Sequence, residues 1–318
     1  MIKNKFVLFL IKGICIILAV TAIYFGLQIL FLPKYPREST GIVKGFNQLE
    51  KDSVDVLFMG ASQMFSSIDA KRLTEEYGIS SYDFGASRQM ISTTEYYLDE
   101  ALKTQHPKLI MIESCEILHE MSDDIRDEVI AYSYSPMPMS DEKYAYLLRD
   151  TGGDVTETLT LCYLPLLSYH NKWKSLQLKD ISETLFFDAY ADYSLRGFNP
   201  REGCNPQKMA FLDDHIQESR MPEENASVIL SIAEKCKSAG IKLVFFKTPS
   251  ANWTKGDSIC TKKFMSENGI DFLDLHDHLD EIGINQDTDF IDLYHLNRGG
   301  AEKCTEYLVN ILSSKVFR

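Results

Sequence analysis

The residues with chemistry to offer are a serine early in the chain and an aspartate–histidine pair near its end. Ser62 stands in VDVLFMGASQMFSS, residues 54–67, where an apolar run meets Gly60-Ala61-Ser62. Asp292 and His295 stand in DFIDLYHLNRGGAEK, separated by two residues. A serine hydroxyl is a weak nucleophile unless a base takes its proton, and the base needs an acid to orient it. His295 can be that base for Ser62, with Asp292 holding the imidazole and stabilising the imidazolium. Singly, each has an ordinary use: Ser62 as a helix cap, Asp292 as a turn former, His295 as a surface residue at a helix entry. Together they point to nucleophilic acyl transfer. That chemistry needs no metal and no organic cofactor, and no Cys/His spacing in the chain suggests zinc.

Such a site requires a scaffold that brings distant segments to one edge. From residue 54 the sequence alternates between short apolar runs and helical patterns. VDVLFM (54–59), a short strand ending at Gly85 in SSYDFGAS, KLIMIE (108–113), IKLVFFK and IDFLDL read as strands. Helices are expected over DAKRLTEEY (69–77) and over STTEYYLDEALKTQ with Ser92 or Thr93 as N-cap. A further one starts with Pro222 at its first position and ends at Gly240, and the last covers GGAEKCTEYLVNILSS. Strands alternating with helices imply a parallel sheet covered on both faces, with its site beyond the carboxyl ends of the strands. Ser62, Gly85 and Glu113 fall at such ends, so Glu113 is a candidate for lining the site. Residues 114–221 break the alternation and read as a mostly helical insertion. Its aromatics (Tyr132, Tyr134, Tyr163, Tyr169, Trp173, Phe186, Phe187 and Phe198 among them) are expected to build the core of a subdomain and to supply a groove. His276 and His278 in DLHDHLDEI read as surface residues, His170 and Trp173 as packing residues, and Cys236 and Cys304 as small core residues.

The N-terminus is of another kind. Residues 13–32, GICIILAVTAIYFGLQILFL, contain no charged residue. At 1.5 Å rise, about 20 residues cross roughly 30 Å of hydrocarbon. No small-residue cleavage site follows, so an uncleaved single-pass anchor is expected, with residues 1–37 as cytoplasmic stub and anchor and 38–318 as an extracytoplasmic globule. Five basic residues and no acidic ones lie in 1–37, while the whole chain carries −13. The globule is therefore strongly acidic, which argues against nucleic acid as a partner.

The chain resembles the SGNH/GDSL hydrolases in three blocks: FMGASQM around Ser62, DFGAS around Gly85, and DLYHLNRGGAEK around Asp292 and His295. The resemblance implies a flavodoxin-like three-layer α/β/α sandwich and a Ser62–His295–Asp292 triad. It also implies an oxyanion hole with backbone N–H groups from Ser62 and Gly85. The chain departs from the family after its third strand, where ESCEILHE stands in place of Gly-x-Asn-Asp and its oxyanion-binding Asn. Either the insertion replaces that donor or the two backbone amides act alone. The anchor and the insertion resemble a membrane-tethered branch near the proteins of lipoteichoic-acid D-alanylation and polysaccharide O-acetylation. The implied activity is an envelope-facing serine esterase or O-acyltransferase acting on an acylated glycan or another ester. The alternative is a non-catalytic docking or assembly factor for a membrane O-acyltransferase.

Overall fold

The computed structural model describes residues 2–31, 37–120, 123–164, 174, 177, 191–213 and 218–315. The chain divides into two compact units, Met1–Tyr35 with Thr151–Ala191, and Pro36–Asp150 with Asp192–Arg318.

The larger unit holds five parallel strands: β1 (Val56–Gly60), β2 (Ser81–Gly85), β3 (Leu109–Glu113), β4 (Lys242–Lys247) and β5 (Asp271–Asp274). Their order is β2-β1-β3-β4-β5, the doubly wound flavodoxin-like arrangement. The first three strands are buried along their whole length. A strand covered on both faces has no reason to alternate polar and apolar residues, hence the continuous runs VLFM and LIMI. Helix Ser62–Ser67 packs with Arg298–Lys315, and Ile91–Ala101 packs with Glu223–Ser238. Right-handed crossovers running outward from β1 to β2 and from β3 to β4 put these two layers on opposite faces. Cys236 and Cys304 are fully buried within them.

A helix not foreseen from the sequence, Arg37–Asn47, covers the β2 edge. Phe46 stacks on Phe84 with ring centroids 4.0 Å apart, and the Tyr82 hydroxyl donates to the Ile42 carbonyl at 2.7 Å. Apolar and hydrogen-bonding groups thus close an edge that would otherwise present unpaired backbone. Two expected caps are displaced. The second long helix begins at Ile91 after Met90, and the Ser92 hydroxyl donates instead to Asp150 at 3.0 Å. Pro222 is the residue before the helix that starts at Glu223, not its first residue.

The insertion does not hold together as one subdomain. Its described helices are Asp123–Tyr134, Asp141–Asp150 and Val155–Tyr163, and the first two belong to the sheet unit. Tyr134 stacks on Tyr96 of the long helix after β2, at 5.4 Å and 19° between planes, and Phe198 is buried. These aromatics extend the main core because buried partners already stand there. Tyr163, in the other unit, is 55% exposed. Tyr169, His170, Trp173, Phe186 and Phe187 lie outside the described residues. The smaller unit contains helix Ile2–Phe31, of which Lys5–Leu27 is long and apolar enough to cross a membrane. Within that unit the Tyr24 hydroxyl donates to the Tyr163 carbonyl at 3.0 Å.

Asp83 lies in the middle of β2, fully buried. Burial, then the neighbouring Asp69 carboxylate, pushes its pKa well above the usual range. The folded chain therefore keeps a proton that the unfolded chain releases above about pH 4. The folded state binds more protons across that window, so this group's contribution to stability is complete below it and falls as pH rises. Asp83→Asn, which keeps shape and stays neutral, is expected to raise the melting temperature at about pH 7.5 and leave it little changed near about pH 4. Thermal unfolding of both chains at the two pH values checks this.

Candidate active site

Ser62 is the first residue of the short helix after β1, joined to the strand by Gly60 and Ala61. The chain must turn sharply there while a neighbouring backbone presses on it. Gly60 has φ +142, a region closed to other residues. Gly85, its partner across the sheet, is as constrained: a Cβ there would sit 2.0 Å from the Gly60 carbonyl oxygen. Two strand ends thus approach at backbone distance directly beneath Ser62. As first residue of its helix, Ser62 has an N–H with no acceptor within the helix. The Ser66 hydroxyl ties the turn by donating to the Ser62 carbonyl at 2.7 Å.

The turn that carries His295 is built by Asp292. One carboxylate oxygen, Oδ1, accepts the amides of Tyr294 at 2.7 Å and His295 at 2.8 Å. This side-chain-to-backbone turn folds the next residues back over the aspartate. The His295 ring consequently lands on the same carboxylate, with Nδ1 3.0 Å from both oxygens. Two intervening residues are what that closure requires. Just after it, Leu296 is fully buried, and the Asn297 side-chain oxygen accepts the Gly300 amide at 3.1 Å at the start of the final helix. The Asn297 amide group donates to the carbonyls of Gly203 at 2.9 Å and Thr288 at 2.7 Å. His-Leu-Asn-x-x-Gly is therefore a histidine held on its aspartate, followed by a core anchor and a helix cap.

The structure brings the two segments together. Ser62 Oγ lies 2.8 Å from His295 Nε2. With the Nδ1 proton donated to Asp292, Nε2 is left as the acceptor for the serine hydroxyl. Burial opposes the Asp292 charge, but the His295 ring and the Tyr294 and His295 amides outweigh it and hold the carboxyl below its ordinary range. A carboxylate, an imidazole and a hydroxyl in line can generate an alkoxide-like nucleophile as a carbonyl is attacked. Leu293 and Tyr294 are about half exposed beside this row, so it is open on that side.

Glu113 does not line that opening. Its side chain is fully buried, and its carboxylate accepts from Lys247 at 2.8 Å, the Thr248 hydroxyl at 3.0 Å and the Cys115 amide at 2.8 Å. Burial would raise its pKa; the Lys247 charge and the Cys115 amide overcome that, and it is lowered. A strand-end glutamate turned inward because a buried lysine waits there. His276 is also not a surface residue. It is 2% exposed, with Nδ1 2.9 Å from Asp274 and Nε2 3.1 Å from the Ser250 amide nitrogen. His278 remains partly exposed beside Glu281. Lys247 and Gln63 escaped the sequence reading, since their partners lie far away in the chain. Asn297 was visible only inside the block that carries His295.

No family model matches the chain, and no curated protein matches its sequence. Among solved structures it is similar to a "putative acylhydrolase" from Bacteroides fragilis NCTC 9343, at 11% identity and a TM-score of 0.43. That likeness covers 86% of this chain and 95% of the other. Identity this low leaves the reaction to be argued from the residues themselves.

Gly85→Ala would drive a methyl group into a backbone oxygen that no side-chain rotation can move. The expected loss is about 1–3 kcal/mol or more, the cost of overpacking a rigid core. Denaturant unfolding checks this, with Gly78→Ala as a control for positive-φ strain without a steric neighbour.

Proposed function

We propose that this protein is a membrane-anchored serine ester hydrolase or O-acyltransferase of the SGNH type. The observation that supports this best is the continuous row Ser62 Oγ–His295 Nε2, His295 Nδ1–Asp292, with distances of 2.8 Å and 3.0 Å. Ser62 attacks the carbonyl carbon of an ester while His295 takes the hydroxyl proton. The tetrahedral oxyanion is received by the N–H groups of Ser62 and Gly85. His295 then gives the proton to the departing alkoxide, leaving an acyl-enzyme on Ser62. Water or a carbohydrate hydroxyl, deprotonated by the same imidazole, takes the acyl group and releases the serine. Asp292 keeps the ring oriented and offsets the imidazolium charge throughout.

The substrate class we assign is an acylated glycan of the cell envelope, reached from outside the cytoplasm. The support is the apolar N-terminal segment, the basic and acid-free residues 1–37 that contain it, and the net acidic remainder. In this reading the helix anchors the chain in the cell membrane as a single pass, and a membrane O-acyltransferase is the natural donor of acyl groups. Without a third oxyanion donor of the family's kind, turnover is expected to be slow, since one such donor is worth about 10²–10³ in rate.

A fluorophosphonate probe is expected to label the full-length chain, and Ser62→Ala to abolish labelling. Asp292→Asn should lower p-nitrophenyl acetate hydrolysis by about 10²–10⁴ without unfolding the protein, because it leaves the ring in the wrong tautomer. A folded chain that never labels is instead a docking platform, and the hydrolase reading fails. Fractionation should leave the protein with the membrane, and external protease should reach the globule once the wall is removed. Protection of the globule would reverse the orientation.

A further inference from the structure

The segment that leaves β4 at Lys247 continues through Thr248, Pro249, Ser250, Ala251 and Asn252. At its start is an ammonium with 1% exposure. Lys247 Nζ donates to Gln63 Oε1 at 2.6 Å, Glu113 Oε1 at 2.8 Å and the Thr248 carbonyl at 3.0 Å. An ammonium has three protons, and all three are used. One of them goes to the residue next to Ser62. Farther along, the amides of Ala251 and Asn252 both donate to the Leu293 carbonyl, at 2.9 Å and 3.2 Å. Leu293 lies inside the turn that Asp292 closes on His295. A single short segment therefore grips the nucleophile's neighbour with a side chain and the base's neighbour with its backbone.

The segment is itself held stiff between those grips. The Ser250 amide meets His276 Nε2 at 3.1 Å, and the His276 ring is braced on Asp274 at 2.9 Å. Asp274 also accepts the Trp253 indole N–H at 3.2 Å and the Ser258 hydroxyl at 2.5 Å. The Trp253 ring lies beneath the Lys247 ammonium, 5.4 Å from it. A buried ion pair gives little net stability, because desolvating both charges offsets their attraction, and an apolar pair of the same size often does as well. Its directional bonds are what an apolar pair could not supply.

We infer that Lys247 is a positioning residue: acting through Gln63 at one end and the Thr248–Asn252 backbone at the other, it sets the separation of Ser62 and His295. The inference rests on the serine-ester reading above. It adds a role for a residue that touches neither substrate nor the reacting atoms. An error of about 1 Å in such an alignment costs about 10²-fold in rate.

The test uses the full-length chain in detergent micelles and compares Gln63→Leu, Gln63→Glu and Lys247→Met. Gln63→Leu removes one acceptor and leaves the Lys247–Glu113 pair intact. It is expected to slow fluorophosphonate labelling by about 10–100-fold, and to lower the melting temperature while the chain stays folded, because one buried ammonium proton loses its acceptor. The rate should fall by a similar factor at every pH tested. Gln63→Glu, which returns an acceptor to the ammonium, should recover most of the rate. Labelling of Gln63→Leu at the wild-type rate would overturn the proposal. So would failure of Gln63→Glu to recover while the protein stays folded. If Lys247→Met does not fold, the two Gln63 variants still decide. A wild-type chain that does not label defeats the serine-ester reading instead. Nitrogen-15 shifts of the His295 ring then read the alignment directly: loss of the Nε2 hydrogen bond in Gln63→Leu supports positioning, and an unchanged ring overturns it.

Discussion

The hydrogen bond between Ser62 and His295 joins residues 233 apart, and it is possible only because a parallel sheet delivers every strand's carboxyl end to the same edge. Ser62 leaves the end of β1, and His295 stands on the turn before the last helix. Neither could reach the other across the 20 Å or so by which the two ends of a six-residue strand are separated. The strand order decides the rest. With β3 central and β1 and β4 on either side of it, the segment leaving β4 reaches Gln63 through Lys247 and Leu293 through two backbone amides.

Close packing at that edge explains residues that would otherwise look incidental. Gly60 is a glycine because its φ of +142 would strain any side chain, and Gly85 because a Cβ there would meet the Gly60 carbonyl oxygen. Lys247 is fully buried among polar partners at the end of a strand whose preceding residues, Leu243 to Phe246, are apolar. The contrast is a sign of geometry being specified: apolar contacts fill volume, whereas three directed hydrogen bonds fix an angle.

Legibility in the sequence followed the range of the interaction. Strands β1 and β3 were read as 54–59 and 108–113 and occur at Val56–Gly60 and Leu109–Glu113, because a doubly covered strand writes itself as an unbroken apolar run. The spacing of Asp292 and His295 was legible because the turn closes within four residues. Helix Arg37–Asn47 was missed: its amphipathic stretch is short and its reason for existing is the β2 edge, which no local pattern announces. Glu113 was read as lining the site and His276 as a surface residue. Each is buried by a partner distant in the chain, Lys247 for one and the Ser250 amide for the other. The insertion was read as one body, yet its ends belong to the sheet unit, as Tyr134 against Tyr96 illustrates.

The Asp292 turn has a further consequence. Its carboxylate is 44% exposed and is engaged wholly by the three residues that follow it. Asp292 and His295 therefore form a cassette whose carboxylate–imidazole contact closes within four consecutive residues, with the rest of the fold holding it from outside at the Leu293 carbonyl. Such a cassette can be moved, inherited or redesigned as a unit. A scaffold that acquires it has only one long-range distance left to solve, from the imidazole to a serine. Loss of activity by drift would follow the same seam, with the cassette surviving intact on scaffolds whose serine has slipped out of range.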